Sequence, residues 1–180
     1  MDKKELIMIT ATTLFAAKGF ENTSLAMVCA EAKVSKGLIF HHFQSKNDLL
    51  RQIFSQTTDR IVNLNKAEEG TQSPKSQLLG LIDRFFNQLA SDKLFFQLNL
   101  NIMLQPATRE VLKDLIEERS SFLLSSAMGL FKKLFPKNFE SKAYLFIAEL
   151  DGIALNYLCI FKQYPLDDIR AELLNTYKSL

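Results

Sequence analysis

Two cysteines, two histidines, six glycines, four prolines and no tryptophan in 180 residues leave this chain short of the side chains that build special chemistry. Cys29 and Cys159 lie far apart and belong to no metal-type cluster or disulfide framework. A reducing, cytoplasmic setting is expected, with both thiols as small buried hydrophobes. His41 and His42 are adjacent, so on a helix they point about 100° apart and cannot both reach one metal from one face. No metal or other cofactor is expected. Glycine is too sparse for a phosphate-cradling loop. The acid pairs Glu117-Glu118 and Glu149/Asp151 sit at spacings that do not face each other on a helix. They read as solvated or capping carboxylates, so no catalytic residue is assigned and an enzyme is not expected.

Charge of one sign is also scarce. The formal net charge is +2. Lys3, Lys4, Lys18, Lys33, Lys36, Lys46 and Arg51 are nearly matched up to residue 51 by Asp2, Glu5, Glu21, Glu31 and Asp48. A protein that coats nucleic acid by bulk charge is excluded, and any affinity must come from a few placed contacts and from pairing two copies. The first residues lack the long apolar run of a signal peptide. Tyr144 to Phe161 is the most apolar stretch, but Glu149 and Asp151 near its middle would be expensive in a bilayer.

What remains is helical periodicity. Hydrophobic residues make up 47% of the chain, enough for a real core. Ile7, Ala11, Leu14 and Phe15 share one helical face, and Gly19 is a natural stop. Thr23 or Ser24 then caps a helix to about Lys33, Ser35 caps a shorter one to about Phe43, and Ser45 caps a fourth from Lys46. Residues 65–76 read as a surface loop. Leu78, Ile82, Phe85, Phe86 and Leu89 define another helix. Phe96 to Leu104 alternates like a strand, yet a lone strand has no partner here, so a helix is expected. Pro106 opens a long helix to Leu134, a further one spans roughly 140–163, and Pro165 starts the last.

Thr23 to Lys46 carries the sharpest signal: two short helices around a tight turn, then the start of a third. Thr23 and Ser24 offer hydroxyls and helix-start amides to a phosphate. Lys36 can reach a phosphate or a guanine edge, Gly37 permits close approach, and Lys46 brings charge to the same strand. Ala11, Leu14, Phe15, Gly19-Phe20, Thr23-Ser24, Val28, Ala32, Val34 to Gly37, His42-Phe43, Lys46 and Leu49 together resemble the TetR family of bacterial transcriptional regulators. The resemblance covers roughly residues 5–50 and implies that Lys36, Gly37, His42 and Lys46 sit at the DNA. The candidate DNA-binding set is Thr23, Ser24, Lys33, Ser35, Lys36, Gly37, Phe40, His41, His42 and Lys46. Two positions depart from the family pattern. Phe40 replaces a tyrosine and is expected to pack. Lys33 replaces a turn glycine, at a strain of about 1 kcal/mol or more in a left-handed conformation.

The resemblance further implies an effector pocket in the C-terminal helices, with Phe85, Phe96, Asn99, Met103, Phe122, Ser126, Phe146 and Leu150 as candidate lining. The nearly all-round apolar helix after Glu140 must be covered on two sides. Ala148, Gly152, Leu155 and Cys159, with Leu173 and Tyr177 from the last helix, form the candidate dimer seam. The expected architecture is all-α with about nine helices. A helix-turn-helix domain (1–47) precedes a dimerisation and effector-binding domain (48–180). The function expected is a dimeric, cytoplasmic repressor of a palindromic operator, released by a small, largely apolar or amphipathic effector, without membrane association. The alternative is a helical ligand-binding or scaffold protein that keeps the fold without using DNA.

Overall fold

The computed structural model describes residues 2–66 and 72–179, and every regular element among them is helical. In chain order these are α1 (Lys3–Lys18), α2 (Leu25–Ala32), α3 (Lys36–His42), α4 (Lys46–Lys66), α5 (Pro74–Ser91), α6 (Lys93–Leu104), α7 (Pro106–Val111), α8 (Lys113–Leu134), α9 (Phe139–Leu155) and α10 (Leu166–Lys178). A π-helical turn, Asn156–Ile160, continues α9.

The chain forms two compact units. The first comprises Met1–Arg60 and Leu94–Glu117. Its core joins Ile7, Phe15, Val28, Ile39, Phe43, Leu50 and Phe54 from α1–α4 to Leu98 and Ile102 of α6 and to Leu112. Each such side chain contributes about 1.5–3 kcal/mol by leaving water. Ser24, Ser35 and Ser45 cap α2, α3 and α4 by accepting from the amides of Met27, Leu38 and Asp48 at 3.2, 3.2 and 3.0 Å. Gly19 ends α1 at φ 81°, where a side chain would be strained.

The second unit comprises Ile61–Lys93 and Glu118–Leu180. Phe131, Phe146 and Tyr177 meet at its centre, tilted or edge-on, with ring centroids 5.3–6.4 Å apart. Arg170 of α10 donates to Asp83 at 2.8 and 3.0 Å and to Asn87 at 3.0 Å on α5.

Several elements differ from expectation. The helix from Pro106 is broken at Leu112, whose backbone (φ −111°, ψ 8°) leaves the helical region while its side chain is fully buried. The Phe96–Leu104 stretch is helical, because Phe95, Leu98 and Ile102 give it a buried face at helical spacing. The ninth helix ends at Leu155, short of residue 163, and the chain leaves the π-helical turn at Phe161. Of the expected loop 65–76, residues 65 and 66 close α4 and 74 opens α5, while 67–71 lie outside the described residues.

Candidate nucleic-acid interface

The second helix of the motif is held by Ile39, with Leu38 packed partly beside it, and presents most of its other side chains. Ile39 is fully buried, whereas Ser35, Lys36, Gly37, Phe40 and His41 are exposed and His42 is half-buried. Phe40, expected to pack, instead leaves 47% of its surface in solvent. The Lys36 ammonium lies 5.7 Å from its ring centroid, a weak cation–π contact that keeps the lysine on this face. The His41 and His42 rings meet edge-on at 4.9 Å. Ser24 is exposed at the start of α2, beside the free amides of that helix end.

Lys33 stands left-handed at φ 52°, ψ 47° with its side chain exposed, as its place in the turn demands. Lys33→Gly should relieve this strain and raise stability by about 0.5–1 kcal/mol in urea unfolding. Unchanged or lowered stability would mean that the lost chain entropy outweighs the strain.

Two candidates, buried Thr23 and half-buried Lys46, turn their polar groups inward, and the physical reason is the same: both tie the loop between α1 and α2. Thr23 is fully buried, its hydroxyl directed at the carbonyls of Gly19 (2.9 Å) and Leu14 (3.3 Å), so that hydroxyl is not offered to phosphate. The Lys46 ammonium donates to the carbonyls of Phe20 (2.9 Å), Thr23 (3.1 Å) and Glu21 (3.5 Å). It also sits 4.2 Å from the Phe20 ring centroid. A cation gathering carbonyls in this way closes the motif from within.

A solvent-open cleft of about 580 Å³ lies elsewhere in the first unit. Asp2, Glu5, Asp48 and Asp59 outweigh Lys4 and Arg51 along it, which makes it unfit for a phosphate backbone.

The candidate effector residues fall in both units: Phe96, Asn99 and Met103 in the first, Phe85, Phe122, Ser126, Phe146 and Leu150 in the second. Asn99 donates to the Phe95 carbonyl of its own helix at 2.8 Å. A cavity of about 210 Å³ in the second unit is lined by Phe131, Phe135, Lys142, Leu145, Glu149, Thr176 and Tyr177, none of them expected as pocket lining. Sequence reasoning also missed polar groups inside this unit. Gln88 Nε2 is buried with no hydrogen-bond partner among the described residues. Arg119 is 6% exposed, and burial pulls its guanidinium down to about 10 against the opposing pull of the Asp151 carboxylate. The exposed carboxylates Asp151 and Glu149 reach groups of the fold, Asp151 the Arg119 guanidinium and Glu149 the Tyr177 hydroxyl, which donates to it at 2.7 Å.

Of the candidate seam, Ala148, Leu155 and Cys159 are exposed, Gly152 and Leu173 are half-buried, and a side chain at Gly152 would meet open space. Tyr177 is corrected: it is buried among Phe131 and Phe146 as part of the core. Cys159 is likewise no buried hydrophobe in the single chain. Tyr144, Leu145 and Ile160 on the same apolar helix, and Phe161 just beyond it, are each more than half exposed. That helix, Phe139–Ile160, is long and apolar enough to cross a membrane by length and composition, with a mean hydropathy of 1.4. Glu149 and Asp151 remain costly at its middle.

A serine-capped, solvent-presented short helix following a tight turn, on a three-helix core, defines a helix-turn-helix protein. Residues 7–53 match the family described as bacterial regulatory proteins, tetR family. The transcriptional regulator BetI of Escherichia coli K12 is 30% identical over 167 residues, which cover 88% of this chain and 83% of BetI. YuxN of Bacillus subtilis, an HTH-type transcriptional regulator, is 29% identical over 168 residues, 87% of this chain but 54% of YuxN. The chain spans less still, 39%, of YerO from the same organism. The fold is shared with the fatty acid degradation regulator FadR of Bacillus halodurans (TM-score 0.81, 18% identity, 98% and 95% of the two chains). It is also shared, at a lower TM-score of 0.74, with a Saccharomonospora viridis protein in complex with choline (20% identity, 98% and 95%). The chain belongs to the TetR family of bacterial regulatory proteins.

Proposed function

We propose that this protein works in the cytoplasm as a homodimer that binds a nearly palindromic operator, represses transcription there, and leaves on binding a small, largely apolar or amphipathic effector. The observation that carries the DNA reading is the recognition helix, which is anchored by Ile39 and turns Lys36, Gly37, Phe40 and His41 outward. Ser24, Lys33, Ser35 and His42 complete the surface, with Thr23 and Lys46 supporting it from behind. We take residues 1–47 as the reading domain and 48–180 as the dimerisation and effector domain.

Two copies would place two recognition helices about 34–36 Å apart, one turn of duplex, on one face of the DNA. The partner surface is the apolar helix α9, where Tyr144, Leu145, Ala148 and Leu155 lie open and Gly152 admits a close helix. Leaving such a row wetted is unfavourable, and a second copy covers it with the same row. An effector in the second domain would favour a dimer whose recognition helices no longer match the half-site spacing. Gln88, whose buried Nε2 has no hydrogen-bond partner among the described residues, is a polar group within that unit able to orient a ligand with an apolar body.

The test is Leu155→Arg. By sedimentation it should give a folded monomer, and its affinity for a duplex enriched from a random pool should fall about 100-fold or more as the second half-site is lost. A Leu155→Arg protein that stays dimeric, or a monomer that binds as tightly as wild type, sinks this reading.

A further inference from the structure

We infer that Arg51, Asp114 and Asn101 are positioning residues for the recognition helix, a role that rests on the DNA reading above and extends the reading apparatus to α6–α8. The seven-residue α3 is too short to hold its own direction and depends on α1 and α4. Both supports are gripped by a segment much later in sequence. Arg51, early in α4, places a two-pronged guanidinium on Asp114, Nη1 to Oδ1 at 2.7 Å and Nη2 to Oδ2 at 2.6 Å. The same Nη1 donates to the Val111 carbonyl at 2.8 Å, at the break between α7 and α8. Asn101 of α6 donates from Nδ2 to the Ala16 carbonyl at 2.8 Å, in the last turn of α1. Gln105 lies against Gly19, where any added Cβ would come within 3.1 Å of its amide nitrogen.

The geometry decides what these ties do. The Arg51 and Asp114 side chains are 38% and 65% exposed, and pairs in that setting add little to stability. A planar fork on a carboxylate, with a backbone carbonyl as third acceptor, fixes direction instead. Arg51 is turned to Asp114 and Val111, so it is not a phosphate contact in this arrangement. The hydrogen bond from Arg51 holds the Asp114 carboxyl down to about 2, from an ordinary 3.8. A depressed carboxyl contributes fully above its unfolded value and is lost only as pH falls from there through about 2. Neutral binding assays therefore read the intact tie.

Asp114→Asn separates positioning from simple electrostatics, because the two predict opposite signs. Removing a negative charge should tighten binding to a polyanion by field effects alone. A positioning role predicts about 5-fold weaker binding to the selected duplex, with binding to unrelated duplex unchanged or slightly tighter. Asn101→Ala should show the same loss of preference without any change of charge. Circular dichroism at the assay temperature keeps unfolding apart from misplacement. If folded Asp114→Asn and Asn101→Ala keep the wild-type ratio of selected to unrelated binding, the inference is overturned and the DNA reading stands. If wild type itself prefers no duplex, both are overturned.

Discussion

Replacing Gly37 by glutamine is expected to leave the free protein slightly more stable and to destroy operator binding. Gly37 lies in the first turn of α3, where glycine disfavours the helix by about 0.5 kcal/mol relative to glutamine. Among the described residues nothing requires its smallness, since an added Cβ would meet only Ser35 Oγ, at 3.9 Å. The space that glycine keeps open is therefore outside the molecule, where the helix would approach a duplex. Gly37→Gln should raise the urea midpoint slightly and lower operator affinity about 100-fold, the scale of losing one or two base contacts. Unfolding curves and fluorescence anisotropy with a labelled duplex measure both. Unchanged affinity would show that this end of α3 does not approach DNA.

Lys46→Met should have the larger effect on stability. As a phosphate contact alone, Lys46 would be replaceable without harm to the fold. In the structure its ammonium serves the carbonyls of Phe20, Glu21 and Thr23 and lies over the Phe20 ring. Methionine keeps the stem but offers no donor, so the loop that carries α2 loses its charge-assisted bonds and the cation–π contact. Partial exposure lets water recover some of this, leaving a loss of about 2 kcal/mol. Operator binding should fall too, because α2 and α3 are no longer held. A variant as stable as wild type would return Lys46 to the role of a free surface charge.

The contrast between these positions shows what one-dimensional reading captures. The helices of the motif were legible because their signals are local: serine caps at 24, 35 and 45, a glycine stop at 19, and apolar spacing from Ile7 to Phe15. Even the alternating Phe96–Leu104 stretch resolved correctly, since strands need partners and the rest of the chain supplies none. What failed was the direction of polar side chains. Thr23 looks like a cap beside Ser24, and only the closure of the α1–α2 loop on Gly19 turns its hydroxyl inward. Lys46 lies 23 to 26 residues from its carbonyl partners, and Arg51 lies 63 from Asp114. No periodicity links such positions. Phe40 failed for another reason. An aromatic on an apolar-looking helix is expected inside, but α3 is short and turns Ile39 and Leu38, not Phe40, to the core.

The C-terminal helices were less legible still. Core packing is the ordinary reading of the phenylalanines there, and Phe146, a candidate pocket residue, follows it, packed with Phe131 and Tyr177 in the centre of the second unit. Buried Arg119 left no trace in the sequence, because an isolated arginine among serines and acids reads as solvated surface. The proposed dimer seam rests on α9, a helix apolar on so many sides that one chain cannot satisfy every face.

The central claim is that two recognition helices read a two-fold operator, and one measurement addresses it directly. Purified protein would be taken through repeated selection on random duplex DNA at low salt and the survivors sequenced. The account predicts a palindromic consensus with half-sites about one helical turn apart. Folded protein that enriches no sequence would contradict it and leave a helical ligand-binding protein that keeps the fold without reading DNA.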